Sequence, residues 1–420
     1  MTDYPELTFS FFLLIALFTI LFTSCNRAPE DSADRYVVMV SLDGFRYDYP
    51  DLYATPVLDS VEKAGVRAVS LQPSFPTKTF PNHYTIATGL YPDHHGIVLN
   101  NFFDPESGMT YSIGNRQRVE DPYFYSGEPV WVTAEKQGIK AASFYWVGSE
   151  TSVEGIYPTY WKKYDHQFPY TQRIDTVIAW LQLPPEKRPH LITWYIDQPD
   201  GWGHHTGPEN PEIGPLISGL DSLLGYFFNK LRNLPVYHET DVIITSDHGM
   251  ETISGNRWVN LTDYLNPEWF SHITGSNPVW DLWIHKEYDS LAYVKVASIP
   301  HVQVWKSGEV PERLHYGTNP RCGDLVIAAD SNWSISWKNP GPGFSGGTHG
   351  YDNTNKNMHA IFYACGPDFK KGYSQPVFEN VDIYPLICYL LDLIPAANDG
   401  KPERVFGMLK EEGGRMNGEG

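Results

Sequence analysis

Five short apolar runs constrain the fold of this 420-residue chain most tightly: Tyr36–Leu42, Ile139–Trp146, Leu191–Ile196, Val242–Thr245 and Ala360–Ala364. Near-continuous apolar runs of this length mark strands buried on both faces of a parallel sheet. Helical stripes lie between them. Thr55-Pro56 reads as an N-cap followed by a first-turn proline, and Gly65 closes that helix. Ile174, Val177, Ile178 and Leu181 recur at i, i+3, i+4 and i+7, while Leu216, Leu220, Leu223, Leu224, Phe227, Phe228 and Leu231 form a longer stripe. Strands alternating with helices predict an α/β protein, a three-layer sandwich with a mainly parallel central sheet. Between Glu251 and Gly347 the rhythm fades into a Trp- and Pro-containing stretch, read as an inserted α+β cap region covering one edge of the site. Residues 35–410 are expected to form one catalytic domain, with 411–420 as a flexible tail.

Composition narrows the function. With 41% hydrophobic and 19% charged residues the chain is globular, and a formal charge of −19 disfavours a nucleic-acid polymer as partner. Cys25, Cys322, Cys365 and Cys388 are too few and too scattered for a disulfide scaffold or a cysteine zinc motif. The run Phe9–Phe22 has the length of a signal h-region and is short for a membrane span of about 20 residues. It ends in Leu21-Phe22-Thr23-Ser24-Cys25, which resembles a bacterial lipobox. Residues 1–25 are thus expected to be a leader and 26–34 a polar tether. The product would be an exported lipoprotein held at the periplasmic or cell surface through lipidated Cys25 alone; a cleaved signal or an uncleaved anchor are the alternatives.

Acidic and histidine residues cluster just after the apolar runs, where open α/β sheets bind ligands. They stand in Ser41-Leu42-Asp43-Gly44, in Asp197-Gln198-Pro199-Asp200-Gly201-Trp202-Gly203-His204, in Ser246-Asp247-His248-Gly249 and in Gly347-Thr348-His349-Gly350. One Asp after a strand is usually a turn or helix cap. Three carboxylates and three imidazoles together form an oxygen/nitrogen ligand set suited to zinc or manganese, and two metals fit it better than one. A hydroxyl nucleophile is expected in the region from Pro76 to Asn100, but spacing alone does not choose among Ser74, Thr77, Thr79, Thr85 and Thr88.

The blocks P-T-K-T-F-P-N-H-Y, G-L-Y-P-D-H-H-G-I-V, P-D-G-W-G-H-H-T-G-P, S-D-H-G-M and T-H-G-Y-D-N, in this order, resemble the nucleotide pyrophosphatase/phosphodiesterase branch of the alkaline phosphatase superfamily. The resemblance runs from about Tyr36 to Asp399 and implies an alkaline-phosphatase-like fold and a two-zinc hydrolase. It implies that Thr79 is the nucleophile, that Asp43, Thr79, Asp247 and His248 hold one Zn2+, and that Asp200, His204 and His349 hold the other. Asn100 matches the amide that donates to a phosphoryl oxygen. Phe80 and Tyr164 match an aromatic pair that sandwiches a nucleobase, and Trp146 resembles a third wall.

A metal suits the chemistry independently, since a threonine hydroxyl is nearly un-ionised at neutral pH. His83, His94, His95 and His205 are expected to be structural hydrogen-bonders. Asp197 reads equally as a structural residue or as one that orients a ligand. Val147 and Glu150 stand where many nucleotide-cleaving members show Pro and Asp, and Lys162 and Lys163 stand beside Tyr164, where they would suit a doubly charged phosphate. The expected activity is hydrolysis of nucleotide phosphodiester or pyrophosphate bonds through a phospho-threonine intermediate. The alternatives are a phosphomonoesterase, a choline- or lipid-headgroup phosphodiesterase, and a non-catalytic surface binding protein.

Overall fold

The computed structural model describes residues 35–411. The leader, Cys25, the tether and all but the first residue of the expected tail lie outside the described residues. An eight-stranded sheet forms the centre: β1 (Tyr36–Leu42), β2 (Val66–Ala68), β3 (Ala141–Phe144), β4 (Tyr160–Lys162), β5 (Leu191–Ile196), β6 (Thr240–Thr245), β7 (Phe362–Cys365) and β8 (Tyr373–Gln375). Its order is β8-β2-β7-β6-β1-β5-β3-β4. All five apolar runs supply strands of this sheet, three of them with shifted ends.

β7 departs from expectation, because it runs antiparallel to both β6 and β2. Burial on both faces, not strand direction, makes a run continuously apolar. Three of the four residues of β7 are buried, so its direction left no trace in composition.

Side-chain alternation along β1 divides the interior into two cores. Val37 and Met39 join the core that contains α2 (Thr79–Thr88) and the helix Ile383–Leu390. Tyr36, Val38, Val40 and Leu42 join the core under α1 (Pro56–Ala64), α3 (Tyr170–Leu181) and α5 (Ile213–Leu231). The layers are therefore helix, sheet, helix. The predicted stripes face inward: Ile174, Val177 and Leu181 are fully or almost fully buried on α3, as are Leu220, Leu224, Phe227 and Leu231 on α5. Thr55 precedes α1 as expected but its side chain caps nothing. The Asp221 carboxylate on α5 accepts from Val57 N at 3.0 Å and Leu58 N at 2.9 Å, binding the two helices together at that end.

The segment from Glu251 to Gly347 contains an antiparallel sheet of four strands, Phe270–Ser276, Val279–Ile284, Val302–Lys306 and Leu325–Ala329, packed on its own apolar cluster. Trp269, Trp280, Trp333 and Trp337 pack against that cluster. None of the segment's residues lines the cavity described below, although Asn277 and Gly347 contact residues beside the site. Among the described residues, Cys322, Cys365 and Cys388 are free, and no helix is long and apolar enough to cross a membrane.

Candidate active site

The central strands β1, β5 and β6 end side by side, and each delivers a carboxylate at its exit. Asp43 follows β1, Asp200 opens the short helix α4 (Asp200–Thr206) after β5, and Asp247 follows β6. Gly44 allows this convergence. Its φ is +69°, and a Cβ there would lie 3.0 Å from Asp200 Cα, so a side chain would force the two turns apart. The main chain links the turns directly: Asp200 N donates to Asp43 O at 3.0 Å, and Gly44 N donates to Asp247 Oδ1 at 3.1 Å.

Around these carboxylates stand three imidazoles. His248 Nε2 lies 3.1 Å from Asp247 Oδ2 and 3.5 Å from Asp43 Oδ1, while His349 and His204 place Nε2 at 3.6 and 3.4 Å from Asp200 Oδ1. Each ring is aimed by its other nitrogen. His248 Nδ1 donates to Gly249 O at 2.8 Å, His349 Nδ1 to Thr77 O at 2.7 Å and His204 Nδ1 to Gly347 O at 2.9 Å. This fixes the tautomer and leaves each Nε2 lone pair turned to the acids, the arrangement usual for metal-binding histidines. Gly347 permits the last contact, since a Cβ there would meet Gly203 O at 2.4 Å.

The electrostatics are those of a centre short of positive charge. Burial and then the neighbouring Asp247 and Asp200 push the Asp43 carboxyl well above its ordinary range. Burial also raises Asp247, but His248 and His83 outweigh it and hold that carboxyl well below its usual value. His349 is kept neutral by burial and by the adjacent His248, Lys78 and His204. Asp43 Oδ1, Asp200 Oδ1 and Asp247 Oδ2 are buried and accept no hydrogen bond. Unpaired buried carboxylate oxygens beside aimed imidazoles fit divalent cations of the zinc type. Two groups have ligand atoms close enough to share an ion: Asp43, Asp247 and His248, and Asp200, His248 and His349. Thr79, the first residue of α2, places Oγ1 3.2 Å from His248 Nε2. All seven residues implied as ligands are thus gathered at one place.

Asp43, Thr79, Asp200, His204 and His349 of this cluster line a cavity of about 430 Å³, with Asp247 and His248 in contact behind them. Asn100 lines it, with Oδ1 held by Phe80 N at 3.0 Å, so the side-chain NH2 is left free to donate. Phe80 and Tyr164 line it as well. Trp146 does not reach it: the indole is fully buried and donates to His83 O at 2.9 Å, and Tyr145 and Val147 form that part of the wall. Lys162 and Lys163 do not reach it either, and Lys163 pairs with Glu120 at 2.7 Å. The cation at the wall is Arg116, bound to Glu150 and, at 3.1 Å, to Glu120.

The other histidines have structural partners or none within the site. His83 bonds Ser41 Oγ at 2.9 Å and Thr79 O at 3.0 Å, with Asp247 Oδ2 at 3.3 Å, so it backs the cluster. His94 pairs with Asp399, His205 is exposed, and burial pushes the His95 imidazole down to about 3. Asp197 lines the cavity but belongs to a different network, accepting from Arg173 Nη1 at 3.1 Å and Tyr170 OH at 3.2 Å. Sequence reasoning missed Tyr195, whose hydroxyl donates to Asp43 Oδ2 at 2.6 Å. Strand alternation would have found it, since Tyr195 faces opposite to the core residues Trp194 and Ile196.

Comparison with known proteins agrees with this geometry. The family model described as Type I phosphodiesterase / nucleotide pyrophosphatase matches residues 37–352. The chain is 36% identical over 385 residues to human ectonucleotide pyrophosphatase/phosphodiesterase family member 1, covering 89% of this chain and 42% of that protein. It is 36% identical over 398 residues to the venom phosphodiesterase of Naja atra, covering 92% and 48%. The chain thus spans about half the length of the curated relatives it matches. Among solved structures, the inactive threonine-to-alanine variant of murine ectonucleotide pyrophosphatase/phosphodiesterase 5, in complex with AMP, superposes with a TM-score of 0.86 at 33% identity, covering 90% of this chain and 100% of that one. The human form of that protein gives a TM-score of 0.85. The chain belongs to the type I phosphodiesterase/nucleotide pyrophosphatase family.

Proposed function

We propose that this protein is an exported two-zinc phosphodiesterase/nucleotide pyrophosphatase that cleaves nucleotide phosphodiester or pyrophosphate bonds through a phospho-threonine intermediate at Thr79. One observation carries the reading: a hydroxyl, three carboxylates each with a buried unpaired oxygen and three aimed imidazoles meet beside a cavity that Phe80 and Tyr164 also line. The AMP complex of the inactive threonine-to-alanine murine relative supports both the nucleotide and the threonine. Asp43, Thr79, Asp247 and His248 would hold one cation, and Asp200, His204 and His349 the other. When bound, the cations supply acidity to the threonine hydroxyl and neutralise charge building on the phosphoryl group.

The chain's own residues do the remainder. Thr79 Oγ1 gives up its proton to solvent and forms a bond to phosphorus as the bond to the leaving oxygen breaks, and the leaving group takes up a proton from solvent. Asn100 donates its free NH2 to a phosphoryl oxygen, held in that orientation by the Phe80 main chain. Phe80 and Tyr164 grip the base, which binds by its face and so tolerates different bases. Water then cleaves the threonine ester, releasing a nucleotide monophosphate and restoring the hydroxyl. We read residues 35–410 as one catalytic domain behind a leader with lipidated Cys25.

The test is a comparison of an aryl phosphodiester or a nucleotide 5′-monophosphate ester with the matching monoester. The diester is expected to turn over much faster, and equal or reversed rates would assign the protein to the monoesterases. Tyr145 and Tyr164, which both line the cavity with ring centroids 5.1 Å apart, favour a cationic headgroup as second reading. Faster cleavage of glycerophosphocholine than of a dinucleotide would select it.

A further inference from the structure

The residue before the nucleophile is a lysine with almost no exposure. Lys78 is 3% accessible and does not line the cavity. Its Nζ donates to His349 O at 2.7 Å and to Asn277 O at 2.7 Å. The first acceptor belongs to a metal-ligand candidate, and the second lies in the turn between the strands Phe270–Ser276 and Val279–Ile284 of the inserted sheet. The aliphatic stem is fitted as closely as the head, because a Cβ on residue 350 would come within 2.6 Å of Lys78 Cε. Thr77 adds two contacts to the same loop, accepting from His349 Nδ1 at 2.7 Å and, at its hydroxyl, from Gly350 N at 2.8 Å.

The same region of the inserted sheet holds the hairpin that follows Asn100. Gly275 N donates to Asn101 Oδ1 at 2.6 Å, and His272 stacks on Phe103 at 3.7 Å. The segment carrying Thr79 and the segment carrying Asn100 are therefore fastened to one edge of one small sheet, by separate contacts.

We infer that Lys78 is a positioning residue that pins the His349 loop and the inserted turn at Asn277 to the nucleophile segment, so that the insertion serves catalysis as a brace. The two bonds from Lys78 to main-chain carbonyls tie together three chain segments that are remote in sequence. The inference rests on the proposed roles of Thr79 and His349.

Lys78→Met in the full chain tests it, since the substitution retains most of the stem and removes the nitrogen donor. The kcat is expected to fall about 100-fold, the scale set by a misplacement near 1 Å, with KM nearly unchanged. Amide exchange in residues 275–277 and 348–351 is expected to accelerate, with and without added zinc, while exchange in β5 stays as in the parent. Unchanged exchange in both segments, or a parental kcat, would overturn the inference. Should Lys78→Met not fold, Lys78→Gln is read by the same measurements. If neither variant melts cooperatively, Lys78 serves the whole fold and the inference fails. Activity surviving in Thr79→Ala would instead sink the nucleophile assignment, which the exchange data do not touch.

Discussion

The two ends of the cavity treat charge in opposite ways. At one end Asp43, Asp200 and Asp247 present oxygens that are buried and unbonded. At the other, Arg116 binds Glu150 and Glu120, Glu150 accepts from Tyr164 N at 3.0 Å, and Lys163 closes the set on Glu120. The second group is complete without a ligand. Crowding carboxylates out of water is unfavourable unless something positive arrives, so the first group is stable only in company. The chain leaves its electrostatics unsettled at the end where phosphorus is to be attacked and settles them where a substrate is only to be held.

The largest effect should come from Thr79→Ala, with kcat falling by about 10⁶-fold, the scale on which loss of a nucleophile acts, and zinc content by elemental analysis nearly unchanged. Chelation should abolish turnover and lower the melting temperature, because it returns the three acids to mutual repulsion. A melting temperature indifferent to chelator would mean that the two ends do not differ as described. Asn100→Ala should reduce kcat by about 10²–10³-fold in steady-state assays, as for other donors to developing charge. Phe80→Ala should weaken kcat/KM for a dinucleotide by about 1 to 3 kcal/mol and affect an aryl diester less. Glu150→Gln, at the self-satisfied end, should change kcat/KM by no more than about 1 kcal/mol, as expected of a partly exposed ion pair. A greater loss there than in Phe80→Ala would reverse the comparison.

What the sequence made legible follows from how local each signal was. β1 and β5 were readable to the residue because enclosure on both faces writes a continuous apolar run, and the acids and histidines stood immediately beyond such runs. The direction of β7 was not readable, since an enclosed strand has the same composition whichever way it runs. Trp146 and Tyr145 show the limit of composition within a segment: both are large aromatics one residue apart, and only the turn after β3 decides which faces the cavity. The Arg116–Glu150 pair joins residues 34 apart across separate elements, which no local pattern encodes. Lys162 and Lys163 misled because charge beside an aromatic reads as a binding feature, whereas their side chains stay outside the cavity.

The three imidazoles of the cluster owe their aim to peptide oxygens, those of Gly249, Thr77 and Gly347. No point mutation can delete a peptide oxygen. The centre is therefore inherited as a path of the main chain, kept open by the glycines and the buried lysine beside it. Transplanting it into another scaffold would demand copying three turns together with the small residues that let them approach.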